Sequence, residues 1–144
     1  MKSASSMPHD AARQHVNGSA RYVDDIPTPS GTLHLAFGLS SVAAGTITSV
    51  DLSAVRAAHG VHLVMEARDL PFANDVSPSA HDEPLLANAT VHYAGQPIFL
   101  VVAKNHHGAR RAARLAKIKI IEIPAILTIQ QALHSGPYKL LELG

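Results

Sequence analysis

The chain of 144 residues has no cysteine, aromatic residues make up only 4% of it, and its charges nearly cancel at a net +1. Without cysteine there is no disulfide, no thiolate metal site, no iron–sulfur ligation from this chain and no cysteine nucleophile. So few aromatics leave no stacking platform for single-stranded nucleic acid, and a balanced charge gives no general pull on polyanions. Long apolar runs are also missing. Nothing approaches the ~18 uninterrupted apolar residues of a membrane span, and the opening "MKSASSMPHDAARQHV" has no apolar signal region. The expectation is a cytoplasmic chain that neither crosses a membrane nor binds nucleic acid.

What is present is a hydrophobic share of 47% in a chain of single-domain size, long enough to bury about 68–70% of its unfolded surface. The first twenty residues are polar and small, and "DDIPTPSG" (24–31) is rich in turn formers, so the chain is expected to begin with an extended lead-in. "TLHLAFGLSS" alternates, placing Leu33, Leu35, Phe37 and Leu39 on one side of a half-buried strand with His34 facing outward. A strand over 46–50 follows Gly45. "DLSAVRAAHG" reads as a short helix, with Asp51 as cap, Leu52, Val55 and Ala58 on one face, and Gly60 closing it. "VHLVMEA" returns to strand.

Between Arg68 and Thr90 no period appears, and Asp69, Pro71, Asn74, Asp75, Pro78, Pro84 and Asn88 mark a long irregular loop. Loops of this length in compact domains are functional or pack on a partner. "PIFLVVA" is apolar on both faces, as central strands are. "NHHGARRAARLAKI" predicts a helix capped by Asn105, with Ala109, Ala112, Ala113, Leu115 and Ala116 on its buried side and Arg110, Arg114 and Lys117 opposite. "KIKIIEI" predicts a further strand, and Thr128 a cap for a last helix, "IQQALH".

Candidate chemistry is thin. Ten histidines occur, but none form the i, i+4 pair around a glutamate that a zinc-protease helix needs. His106 and His107 point ~100° apart on a helix and do not share an ion readily. The acidic pairs Asp24–Asp25 and Asp82–Glu83 lie beside prolines, where turn and capping roles outweigh acid–base work. No G-x-S-x-G elbow occurs, and "GLSS" ends a strand with no helix after it. The basic helix face reads as a solvated surface rather than a phosphate contact. "YAGQP" (93–97) precedes a strand, so its single glycine offers no phosphate cradle. Composition and spacing end at a soluble α+β domain with an unusual loop.

Taken together, "ARYVDDIPTPSGTLHLAFGLSSVAAGTI", "VDLSAVRAAHGV", "ARDLPFANDVSP", "DEPLLANATVHYAGQPIFLVVA" and "ARRAARLAKI" resemble the amino-terminal region of the molybdenum-binding subunit of bacterial members of the xanthine dehydrogenase and aldehyde oxidase family, from about Pro8 to Leu133. The resemblance implies the α/β hammerhead fold over 21–133, a mixed sheet with two main helices, after a lead-in of 1–20. It also implies an enzyme that hydroxylates purines or aldehydes, with molybdopterin-bound molybdenum, 2Fe-2S clusters and FAD in the complete complex. The partners implied are the remaining molybdenum-binding region and the iron–sulfur and flavin subunit.

In relatives the molybdopterin contacts and the glutamate base lie downstream of this module. No catalytic, cofactor or metal residue is therefore carried over, and Glu66, Glu83 and Glu122 are not assigned that base's role. Asp24, Asp25, Asn74, Asp75, Gly95, Gln96 and Pro97 are structural or interface candidates. Departures from the family pattern stand at Ala44, Thr46, His59 and Phe72, and the tail 134–144 is atypical, as in a truncated product. The alternative is a stand-alone interaction protein that keeps the fold without the enzyme.

Overall fold

The computed structural model describes residues 9–124 and 126–134. The chain divides into two compact units, one up to Thr32 and one from Leu33 onward. In the first, α1 (Ala12–Asn17) is closed by Gly18, whose φ of 74° lets its N–H return to the Gln14 carbonyl. A 3-10 turn (Val23–Asp25) follows. The extended lead-in is thus partly helical, because "ARQHVN" carries good helix formers and a glycine in the terminating position. The tail beyond His134 lies outside the described residues.

The second unit contains β1 (His34–Leu39), β2 (Gly45–Asp51), α2 (Ser53–Arg56), β3 (Val61–Glu66), β4 (Thr90–Val91), β5 (Pro97–Ala103), α3 (His106–Ala113), β6 (Lys117–Glu122) and α4 (Ile129–His134). Its strands form two sheets of three, in the orders β1-β5-β3 and β4-β2-β6. All four pairings are antiparallel. The single mixed sheet expected is therefore two antiparallel ones. The division starts at Ser40, whose hydroxyl donates to the Val42 carbonyl (2.8 Å) and accepts from the Val42 N–H (3.2 Å), turning the chain out of the first sheet before β2 begins. The two-residue β4 lies at the end of the long loop, where the sequence has no period to show it.

β5 is central in its sheet, as its apolar run requires, with β1 and β3 on either side. Its Phe99 and Val101 join Leu52 and Val55 of the α2 turn, Val64 of β3, Ala112 of α3, Val91 of β4 and Ala87 in one core. Ile47, Val50, Ile118 and Ile120 of the second sheet pack against the same cluster. Each large side chain fully buried here contributes about 1.5–3 kcal/mol. Two of the expected caps, Asn105 and Thr128, sit where expected, whereas the helix expected over 51–60 is only the single turn Ser53–Arg56, with Leu52 rather than Asp51 at its N-cap and Ala57 rather than Gly60 after its last residue. Asn105 Oδ1 accepts from Gly108 N (2.7 Å), Thr128 Oγ1 accepts from Gln131 N (3.2 Å), and the Asp51 carboxylate accepts from Ser53 N (3.0 Å). α3 stops at Ala113, short of its expected length, which leaves Leu115 outside the buried face.

One expectation is inverted. In β1 the small residues Ala36 and Gly38 face the core, while Leu35, Phe37 and Leu39 face outward, and His34 is on the inner side with Ala36. The cause is the packing opposite. Ala36, Ala103 and Ala109 let α3 lie close on the sheet, and a Cβ at Gly38 would sit 1.9 Å from a ring carbon of Phe99. The inner face has no room for large side chains from β1.

Candidate functional site

The turn that enters β5 is built from backbone bonds that only a glycine permits. Gly95 has a φ of 89°, and no atom lies within 4 Å of the place a Cβ would occupy, so conformation rather than space selects it. Its N–H donates to the Ser40 carbonyl (2.9 Å), and the Ser40 N–H returns to the Gln96 carbonyl (2.9 Å), clamping the turn to the end of β1. Gln96 is only 3% exposed. Its Oε1 accepts from the His92 N–H (2.7 Å), which would otherwise lack a partner at a partly buried place. Pro97 gives up an N–H at the β1–β5 bulge, and its carbonyl accepts from the Ala87 N–H (2.7 Å).

Asn74 closes the other end of this network. Its Nδ2 donates to the Leu86 carbonyl (2.7 Å) and its Oδ1 accepts from the Leu86 N–H (2.9 Å), imitating a pair of strand hydrogen bonds. Asn74, Gly95, Gln96 and Pro97 are thus linked through Leu86 and Ala87, both buried. Asp75, next in sequence, serves its own loop. One carboxylate oxygen accepts from Ser77 N (2.9 Å) and from the Ser77 hydroxyl, and the other meets His81 Nδ1. The Ser77 hydroxyl first, then His81, hold the Asp75 carboxyl down at about 2. Asp25 is elsewhere, in the amino-terminal unit, where its carboxylate accepts from the Tyr22 N–H (2.9 Å) and caps the 3-10 turn; Asp24 is exposed beside it.

Several contributors were not evident from sequence. Ser40 reads as a poor nucleophile candidate and is instead a buried corner of the turn network. Glu66 accepts from Arg68 (2.6 Å) and Arg56 (3.4 Å), joining β3 to the α2 turn, although nothing in the residue spacing pairs these three. Leu86 carries only the signal of a lone apolar residue in a polar loop. A hollow of about 290 Å³ lies beside Gln96, with Asp82, Glu83, His92 and Tyr93 on its walls. It brings both members of one acidic pair to a single place, with no serine, threonine or cysteine on its walls.

This combination of elements, a glycine–glutamine turn seating a central strand and an alanine-faced helix after it, has a counterpart. The family model described as "Aldehyde oxidase and xanthine dehydrogenase, a/b hammerhead domain" matches residues 17–124. The chain belongs to that family. It is 41% identical over 134 residues to "Xanthine dehydrogenase 1" of Arabidopsis thaliana, covering 93% of this chain and 10% of the relative. It is 36% identical over 132 residues to "Xanthine dehydrogenase/oxidase" of Rattus norvegicus, covering 92% and 10%. The chain thus spans about a tenth of the length of these relatives. Among solved structures, the aldehyde oxidoreductase of Desulfovibrio gigas superposes with a TM-score of 0.78 at 29% identity, over 92% of this chain and 16% of that one. The Cu,Mo-CO dehydrogenase superposes with a TM-score of 0.75 at 29% identity, over 88% and 16%.

The hammerhead fold and the α+β class follow from this match. The iron–sulfur clusters implied for complete relatives do not fit the residues present. The chain offers no cysteine to an iron–sulfur cluster. Among the described residues no three His, Asp or Glu side chains converge as metal ligands. The polar groups of Asn74, Gly95, Gln96 and Pro97 are engaged by the backbone around β5.

Proposed function

We propose that this chain is the structural amino-terminal module of a xanthine dehydrogenase-type molybdenum hydroxylase, non-catalytic alone, running over 21–133 with a lead-in before it and a tail after it. The complete enzyme hydroxylates a purine and passes electrons through iron–sulfur clusters and flavin to NAD. Its molybdopterin, 2Fe-2S and FAD groups are held by the remaining molybdenum-binding region and the iron–sulfur and flavin part, which are this module's partners. Cytoplasmic location belongs to the same proposal; among the described residues no helix is long and apolar enough to cross a membrane.

The observation that carries this reading is the use of Asn74, Gly95, Gln96 and Pro97. In a catalytic loop such polar groups would keep free donors and acceptors, whereas here Asn74 and Gln96, though each borders a hollow, have side-chain oxygens that accept from backbone N–H groups around β5. The test is a chimera in which this chain replaces the matching segment of the Arabidopsis Xanthine dehydrogenase 1. Molybdenum content and xanthine oxidation of at least a tenth of the parent's are expected, against neither in the same enzyme with the segment deleted. The isolated chain is expected to bind no molybdenum and oxidise no xanthine; stoichiometric molybdenum on it would contradict the proposal.

A further inference from the structure

We infer that the outer face of the β1-β5-β3 sheet is a docking surface for polypeptide lying beyond this module in the family's long chains, and that the covering segment is apolar at its centre and carries a carboxylate at its rim. The inference rests on the module reading and adds to it where the contact is made. Cross-strand register fixes which side chains share the face: Leu35 stands opposite Val102 and Phe37 opposite Leu100 on one side of β5, and Leu63 opposite Val102 and Met65 opposite Leu100 on the other. Leu39 continues the row at the bulge. Within this set there is no charged or hydrogen-bonding side chain.

The face is open along its two outer strands, while Leu100 of β5 between them is only 8% exposed. Leu35 is 46% exposed, Phe37 40%, Leu39 53% and Leu63 49%. Scattered exposed apolar residues need no explanation, but a contiguous block spread over three adjacent strands is the mark of an interaction surface. The second sheet shows that the module can make a water-facing surface when it needs one. There the outward pairs are Ser49 with Lys119 and Asp51 with Lys117, with Thr46 opposite Ile121. The apolar content of the first sheet's outer face is therefore specific to it.

The occupant follows from three observations. This module accounts for a tenth of the curated relatives and about a sixth of the solved chains it superposes on, so in them far more polypeptide of the same chain is at hand than the module itself contains. The face is uncharged, which calls for an apolar segment. Along the edge of β1 runs a groove of about 320 Å³ between Phe37 and Leu39 on one wall and Arg110 and Arg114 of α3 on the other. Neither arginine is ion-paired among the described residues. A carboxylate in the covering segment would complete that groove, giving register as well as adhesion.

The absence of cysteine makes the test simple, since one introduced thiol is the only one in the isolated chain. Leu35→Cys reports the proposed face and Thr46→Cys the outer face of the second sheet. In the isolated chain both thiols are expected to react with a maleimide at similar rates, independent of protein concentration. In the Arabidopsis chimera, with labelling at each position read by peptide mass spectrometry, position 35 is expected to react at least tenfold more slowly while position 46 is unchanged. A chimera that assembles with molybdenum yet labels freely at position 35 overturns the inference and leaves the module reading standing. A chimera of unmodified sequence that holds no molybdenum overturns the module reading and the inference with it. Protection at position 35 that appears in the isolated chain as its concentration rises assigns the face to a second copy and also overturns the inference.

Discussion

The two sheets are alike in size, strand direction and the core they share, yet their outer faces differ in kind. The β4-β2-β6 sheet alternates in the usual manner, with Ile47, Val50, Ile118 and Ile120 packed against the core and threonine, serine, lysine and aspartate outward, Ile121 being the one apolar residue among them. The β1-β5-β3 sheet is apolar on both sides, and its smallest residues, Ala36 and Gly38, lie inside. Amphipathic patterning alone sets a strand's face when one side is polar; when both sides are apolar, volume decides. Alternation between large and small, rather than between apolar and polar, is then what the strand carries.

This contrast can be broken most severely at the centre of the first sheet. Val101 is fully buried between β1 and β3, and Val101→Asp would place a charge without a partner there, at a cost of several kcal/mol, about the whole stability of a small domain. No cooperative thermal transition is expected by circular dichroism. A sharper comparison uses one residue type on the two faces of one sheet. Phe99 is 0% exposed and Phe37 40%. Phe99→Ala is expected to cost about 3–5 kcal/mol and Phe37→Ala about 1–2 kcal/mol, both read from urea denaturation of the isolated chain. Equal losses would show that the outer face is packed in the free molecule after all.

The loop network predicts smaller effects. Asn74→Ala removes both bonds to Leu86 and is expected to cost about 2 kcal/mol, since each hydrogen bond contributes about 1 and the Leu86 backbone is left unpaired in a buried place. Asp75 gives the smallest effect and a pH signature. Its carboxyl is held at about 2, below the ordinary 3.8, by the Ser77 hydroxyl and then His81. A depressed value means the charged form favours the fold: the contribution is complete above pH ~4 and vanishes as pH falls through about 2. The difference in melting temperature between the parent and Asp75→Asn is therefore expected in full at pH 6 and to shrink steadily as the pH falls from about 4 through about 2. A difference that grew on acidification would reverse the sign and refute the assignment.

Much of this was legible in the residues. The apolar run at 98–103 identified the central strand because such a strand meets protein on both sides. Asn105, Thr128 and Gly60 marked turns and helix ends because their chemistry is local. Gly95 and Pro97 announced a tight entry to β5 for the same reason. What could not be read was set by distant neighbours. The orientation of β1 depends on the ring of Phe99, far along the chain from Gly38. The Asn74–Leu86 bridge and the Glu66 cluster join residues with no common spacing. Helix α1 was hidden by a polar composition that disordered and helical segments share. The likeness to a family supplied the fold as a whole, but not which of its faces is left uncovered.

The measurement that bears most directly on this account is the effect of Phe37→Asp in two settings, the isolated chain and the Arabidopsis chimera. In the isolated chain a fall of no more than about 8 °C in the melting temperature is expected, the size for about 2 kcal/mol in a domain of this length, together with at least a tenfold loss of molybdenum per chimeric polypeptide. Unchanged molybdenum content in the chimera would contradict it.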